Sequence, residues 1–130
     1  MIRPTAFGLV LLAALPARAQ APACAAAQTQ MEMNECAARE YKKHDAAMND
    51  IYQQLLTKLK DPAQKETLVE AERAWVPYRD KFCAFQSSET LGGSIHSLIE
   101  TGCLDEKTNI HTAELTRQLS CKEGDPSCVH

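Results

Sequence analysis

The chain has 130 residues, of which 45% are hydrophobic and 24% are charged, and its formal net charge is −3. A chain of this length suits one small domain, and its negative charge disfavours nucleic acid and anionic membrane surfaces as partners. Its six cysteines, an even number, are consistent with three disulfides of an oxidising compartment. No pair has the spacing Cys-x-x-Cys, which disfavours a thioredoxin-like redox centre or a zinc ribbon.

Residues 1–19 have the pattern of a cleavable signal peptide. An arginine supplies the positive start, residues 6–15 are apolar, and Ala17-Arg18-Ala19 precedes the cleavage point. A membrane-spanning helix needs roughly 20 apolar residues, about twice the length of this run. An acylated Cys24 is the alternative, but residues 21–23 carry a proline and lack a large aliphatic residue. We therefore predict export to the periplasm or the outside, without a lipid anchor.

Cleavage after residue 19 makes the remaining chain more acidic. It removes two of the basic residues and none of the acidic ones, so residues 20–130 carry 12 basic and 17 acidic side chains, a formal charge of −5. This charge favours a cationic partner through a long-range attraction that salt weakens. Solubility alone explains an acidic surface equally well.

The first predicted helix follows a leader at residues 20–28. Thr29 and Glu32 have the spacing of a capping box, in which each side chain accepts a hydrogen bond from the other residue's backbone. Apolar residues then recur every three or four positions as far as Leu59. This spacing predicts one amphipathic helix of about 30 residues.

A second helix is predicted to begin after Asp61-Pro62, because aspartate caps a helix and proline fits its first position. Its predicted apolar stripe consists of Leu68, Ala71, Trp75, Tyr78, Phe82 and Phe85. The tight turn predicts an antiparallel hairpin in which this stripe faces that of the first helix. Pro77 lies inside the helix, where proline normally introduces a kink.

Residues 86–93 are polar and end in two glycines, which predicts a loop. Ser94 is then expected to cap a third helix that extends to Leu119, and a break at Gly102 would divide this helix in two. The predicted fold is all-α. It is a small antiparallel bundle of three to four helices over residues 29–119, cross-linked by disulfides and followed by a tail at 120–130.

The hairpin predicts how the cysteines pair. Cys36 and Cys83 are equidistant from the turn, so they should lie side by side within reach of a disulfide. The favoured pattern therefore has three bridges: Cys36 with Cys83, Cys24 with Cys103, and Cys121 with Cys128. A competing pattern joins Cys24 to Cys36 and Cys83 to Cys103.

The sequence has no recognisable catalytic motif. His44 falls on the apolar stripe of the first helix, where a hydrogen-bonded core or boundary histidine is more common than a base. The remaining histidines fall near helix surfaces or at the chain end: His96, His111 and His130. A Cu(I) site would use Met31, Met33, Met48, His44 and thiols, but residues two apart on a helix point in different directions. We therefore expect no enzyme, no cofactor and no resident metal.

The segment from Trp75 to Cys83 is dense in aromatic and charged residues. Trp75 and Tyr78 belong to the predicted core stripe, and Arg79 and Asp80 lie at its edge. An exposed Arg79 would suit an anchor for a partner, since arginine is enriched at binding hot spots. The interpretation that we favour is structural, with Arg79 in an internal ion pair or capping a carbonyl between helices.

These residues resemble the LprI-like family of secreted bacterial proteins. The resemblance covers residues 24–119 and rests on Gln30, Met33, Asn34 and Cys36, on Trp75-x-x-Tyr78-Arg79-Asp80-x-x-Cys83, and on Cys103 followed by Thr108. It implies a small α-helical, disulfide-linked protein of the periplasm or cell surface. Family members often carry an arginine close to the position of His111, and the tail with Cys121 and Cys128 is additional here.

The resemblance and the acidic charge together predict a binding protein. The family takes its name from a lipoprotein credited with inhibiting lysozyme, so the resemblance implies a lysozyme-type muramidase as the partner, and the acidic charge favours a cationic one. We expect the protein to be a monomer. The first alternative is an envelope-associated module that binds another protein. A periplasmic copper binder ranks behind both.

Overall fold

Three long α-helices make up this computed structural model, which describes residues 23–122 and 124–129. Helix α1 spans Gln30–Lys58, α2 spans Pro62–Gln86 and α3 spans His96–Leu119, and a short 3-10 helix occupies Ser88–Thr90. The described residues contain no strand, so the predicted all-α class is confirmed. The predicted signal peptide, residues 1–19, lies outside the described residues.

The first two helices begin where the sequence predicts. The backbone N–H of Glu32 donates to the hydroxyl of Thr29 (3.2 Å), and the backbone N–H of Thr29 donates to the Glu32 carboxylate (3.0 Å). At the start of α2, the Asp61 carboxylate accepts from the N–H of Ala63 (2.9 Å). Both caps satisfy backbone donors that the first turn of a helix leaves free. Helix α2 then runs through Pro77 to its end.

Helix α3 begins one residue later than predicted, without a side-chain cap. Ile95 holds the cap position, and the carbonyl of Ser94 instead accepts a hydrogen bond from the Asn34 side chain on α1 (2.9 Å). The loop before it turns at Gly92, whose φ of 78° lies in the left-handed region that favours glycine. The helix continues through Gly102 without a break.

Helices α1 and α3 run parallel to each other. Their hydrogen-bonded partners keep a sequence separation of 60 to 61 residues along the helices: Asn34 with Ser94, His44 with Asp105, and Lys58 with Leu119. Helix α2 runs in the opposite direction and packs on α3, while the backbones of α1 and α2 approach each other little. The prediction that α1 and α2 are the closest pair is therefore wrong, because α3 provides the close backbone neighbour of both. Leu68 and Trp75 of the predicted α2 stripe do pack against the core that α1 contributes.

The disulfides follow the competing pattern. Cys24 is bonded to Cys36 and Cys83 to Cys103, with Cα–Cα distances of 5.8 and 5.5 Å, and a third bridge joins Cys121 to Cys128. The favoured pairs, Cys36 with Cys83 and Cys24 with Cys103, are wrong, because equal distance from the turn brings two residues together only where α1 and α2 are close neighbours.

The bundle changes in character along its axis. Its apolar core lies at the end where α1 turns into α2 and consists of Met48, Leu55, Leu59 and Leu115, with Trp75 and other side chains packed against it. The opposite end is held by the buried Cys83–Cys103 bridge. Polar side chains fill the region between. In the part of the chain that the structure describes, no helix has the length and apolar character needed to cross a membrane.

Candidate functional site

The middle of the bundle holds a buried arginine that contacts all three helices. Arg79, on α2, is 6% exposed. Its guanidinium donates to Asp45 on α1 (3.0 Å), to the adjacent Asp80 (3.0 Å) and to the hydroxyl of Thr108 on α3 (3.3 Å). Arg79 is thus the centre of an internal ion-pair network, and its burial leaves almost no guanidinium surface to anchor a partner.

Aromatic rings enclose the same guanidinium. Its central carbon lies 5.0 Å from the ring centroid of Trp75 and 5.6 Å from that of Tyr41. Burial alone would lower the pKa of Arg79, but the hydrogen bonds to Asp80 and Asp45 outweigh this effect and raise the pKa. The guanidinium is therefore a permanent cation, held between π faces and carboxylates that both attract it.

His111 lies in a second cluster beside the arginine. Its ring stacks on Trp75 with centroids 4.1 Å apart, Nε2 lies 2.5 Å from Glu72 on α2, and Nδ1 lies 3.0 Å from Glu114. Burial lowers the pKa of His111, but the hydrogen bonds to Glu72 and Glu114 outweigh it, so the pKa is raised above 6.5. The prediction that His111 lies near the helix surface is wrong, because its side chain is only 13% exposed. The inward carboxylate of Glu72 pairs with the imidazole and so makes the burial of a charged ring possible.

The other described histidines also have local partners. His44 Nδ1 lies 2.6 Å from the Asp105 carboxylate. His96 Nδ1 lies 3.0 Å from the hydroxyl of Thr90, but this hydroxyl donates to the carbonyl of Ser87 (2.7 Å). A nucleophile must direct its proton toward the base, so this contact stabilises the loop after α2 and does not activate Thr90.

Soft metal ligands are dispersed in the structure. Met31 is 68% exposed near the start of α1, whereas Met48 is part of the core. Every cysteine in the described part of the chain is disulfide-bonded. Within residues 23–122 and 124–129, no three His, Cys, Asp or Glu side chains converge as a metal site. His130 lies outside these ranges.

Helix α2 turns a different face inward from the predicted one. Its inward side chains recur at steps of three and four and include two charged residues: Leu68, Glu72, Trp75, Arg79 and Cys83. Glu72, Asp45 and Thr108 were not predicted as members or partners of this face. Tyr78 and Phe85 are 55% and 74% exposed, so their assignment to the core was wrong.

The displaced aromatic residues form a row on the outer side of α2, which we call the aromatic ridge: Tyr78, Phe82 and Phe85. The ring centroids of Tyr78 and Phe82 are 5.9 Å apart, and those of Phe82 and Phe85 are 6.4 Å apart. The ammonium of Lys107 lies 4.5 Å from the Phe82 centroid. Tyr78 and Phe85 are exposed, and the half-buried Phe82 joins them. A row of exposed aromatic side chains is typical of protein-binding sites. The ridge is therefore the candidate functional site.

Comparison with known proteins agrees with the resemblance. A family model described as lysozyme inhibitor LprI matches residues 21–115. An uncharacterized protein of Rhizobium meliloti (strain 1021) is 33% identical over 133 residues, which cover 92% of this chain and 96% of that protein. No solved structure matches the chain. The family match includes the Arg79 network and the aromatic ridge, and it ends before the Cys121–Cys128 tail.

Proposed function

Because this chain belongs to the LprI lysozyme inhibitor family, we propose that it binds a lysozyme-type muramidase and blocks the enzyme's substrate cleft. The family match is the observation that carries this proposal. The protein acts by binding and not by catalysis. We further propose that residues 1–19 export it, and that it works as a monomer in the periplasm or outside the cell.

The aromatic ridge is the contact surface that we propose for the muramidase. Aromatic side chains dominate binding hot spots because they bury a large area with few rotatable bonds. Tyr78 and Phe85 are already exposed, so a partner can cover them without unfolding any part of the bundle. The Cys83–Cys103 bridge and the Arg79 network hold α2 in place, which lowers the entropic cost of binding.

Charge supports a cationic partner. Residues 20–130 carry a formal charge of −5, which provides the attraction, because the ridge itself has both signs beside it: Asp80 is 54% exposed but paired with Arg79, and Lys107 lies over Phe82. Attraction between opposite charges accelerates association more than it slows dissociation, and salt screens it. The association rate with a cationic muramidase should therefore fall as ionic strength rises, while the dissociation rate changes little.

A wall-lysis assay tests the function. Purified protein in several-fold molar excess should slow the lysis of bacterial cell walls by a cationic lysozyme at low salt. Unchanged lysis with several lysozyme types would reject the inhibitor function. Capture of a different envelope protein in a pull-down would then favour the envelope-module alternative.

Two variants test the surface separately from the function. Tyr78→Ala and Phe85→Ala should each weaken inhibition by roughly tenfold or more, because a hot-spot truncation costs about 2 kcal/mol. Met31→Ala is the matched control, since Met31 is equally exposed and apolar but lies on α1. Inhibition that survives in both ridge variants would reject the ridge as the contact surface and leave the inhibitor function standing.

A further inference from the structure

An open cavity lies at the core end of the bundle, where α1, α2, α3 and the tail meet. Its volume is about 420 Å³. We call it the apolar groove, and its walls include Leu55, Leu59, Leu68, Ala71, Leu115 and Val129. It lies apart from the aromatic ridge, on the opposite side of the Arg79 network along the bundle axis.

The size and lining of the groove are those of a ligand site. Protein interiors pack closely and leave few voids larger than a water molecule. Small-molecule pockets have volumes of roughly 300–1,000 Å³ and mostly apolar walls with a few polar groups. The polar residues of this wall are Gln64, Thr67 and Gln118. The Gln64 carboxamide oxygen is shielded from water, so it does not face the open space, and it accepts no hydrogen bond among the described residues.

The shape of the groove favours a chain over a compact ring system. The α2 residues that line it extend from Ala63 to Ala71, more than two helical turns. This distance corresponds to about 12 Å at 1.5 Å per residue. A second, more polar depression shares Leu115 and Gln118 with the groove and is lined by two basic residues, Arg117 and Lys122, and two acidic residues, Glu114 and Asp125. A ligand with an aliphatic tail and a polar end fits both surfaces.

We propose that the apolar groove binds the aliphatic chain of a single-chain amphiphile of the fatty-acid type. The chain lies along α2 between Leu55 and Leu115, and the polar end reaches the depression beside Arg117. Rotation of the Gln64 carboxamide would let its oxygen accept a hydrogen bond from a hydroxyl or protonated carboxyl group. This activity is independent of lysozyme inhibition.

Calorimetric titration with straight-chain saturated fatty acids, from hexanoate to myristate and each below its micellar concentration, tests the proposal. Affinity should rise roughly fourfold for each added methylene and then stay constant once the groove is full. The plateau is decisive, because adsorption to exposed apolar surface has no length limit. No binding of any acid, or a rise without a plateau, would overturn the proposal.

A pair of variants locates the site. Ala71→Phe places a ring inside the groove and should lower the affinity for dodecanoate roughly tenfold or more, because the ring displaces at least two methylenes. Ala74→Phe is the matched control, since Ala74 is on the same helix, exposed, and absent from the groove wall. Equal affinities in the two variants would overturn the proposal. The chain-length series on the unaltered protein remains decisive if Ala71→Phe does not fold.

Two further measurements identify the source of the chain and exclude another occupant. Lysophosphatidylglycerol below its micellar concentration that binds the protein, but not Ala71→Phe, would identify a single-chain membrane lipid, whereas binding of free dodecanoate alone would identify a free amphiphile. Either result supports the groove. Dimerisation that Ala71→Phe abolishes, without fatty-acid binding, would overturn the proposal in favour of a second copy. The Ala71→Phe variant should still slow wall lysis wherever the unaltered protein does.

Discussion

Replacing Arg79 with methionine should destabilise the protein more than any other single change in the polar middle of the bundle. Methionine keeps much of the side-chain volume and its apolar stem, so packing is largely retained. It removes the hydrogen bonds to Asp45, Asp80 and Thr108, one acceptor on each helix. It also removes the cation beside Trp75.

The expected cost follows from the exposure of each partner. The Asp45 and Asp80 side chains are 34% and 54% exposed, so water replaces part of what they lose, at about 1 kcal/mol each. Thr108 is fully buried and has no water to replace the guanidinium, which adds about 1 kcal/mol. The lost cation–π contacts add about 0.5 kcal/mol, and the apolar methionine offsets a similar amount. The net loss is about 3 kcal/mol.

Urea unfolding followed by circular dichroism measures this loss. The same cost should lower the melting temperature by about 10 to 20 °C. Asp80→Asn is the control, because it removes the more exposed partner and should cost less than about 1 kcal/mol. In some proteins, apolar replacement of a buried ion pair is neutral or stabilising. A methionine variant as stable as the unaltered protein would show that this holds here and would refute the expected loss.

Two other predictions concern pH and sulfur. The raised pKa of His111 stabilises the fold fully below pH 6.5, and this contribution is lost as pH rises through the raised pKa. The free energy of unfolding of the unaltered protein should therefore fall above pH 6.5, and His111→Gln should remove this fall. Urea titrations across pH measure both proteins, and a fall of equal size in the variant would contradict this assignment. Removing the Cys83–Cys103 bridge by a double alanine substitution should cost about 3 kcal/mol, since its sequence separation is 20. Urea unfolding of this double variant checks the value, and an unchanged midpoint would count against it.

Local chemistry made the helix starts predictable. Thr29 and Asp61 cap helices by contacts within three residues, so the sequence alone determines them. Which helices pack against each other depends on α3, whose residues are far from their α1 partners in the sequence. Equal distance from the turn between α1 and α2 predicted that Cys83 lies beside Cys36. This prediction took only two helices into account, whereas Cys83 is bonded to Cys103 on α3.

The inward face of α2 was predictable only in part. Hydrophobicity selects Leu68 and Trp75 correctly, but it also selects Tyr78, which is exposed, and rejects Arg79, which is buried. A charged residue goes inside only if partners meet it there, and those partners come from α1 and α3. The one local signal was spacing, since Glu72 and Arg79 flank Trp75 at three and four residues.

The buried charges therefore connect the fold to the proposed binding surface. Adjacent residues on a helix are about 100° apart, so exchanging Arg79 for Tyr78 on the inward face requires a rotation of α2 by that angle. The partners of Arg79 oppose this rotation, which keeps Tyr78 and Phe85 exposed. If the network fixes this register, Arg79→Met should weaken lysozyme inhibition under conditions where the variant is still folded, and the control Met31→Ala should not. Full inhibition by the folded methionine variant would show that packing alone sets the register of α2.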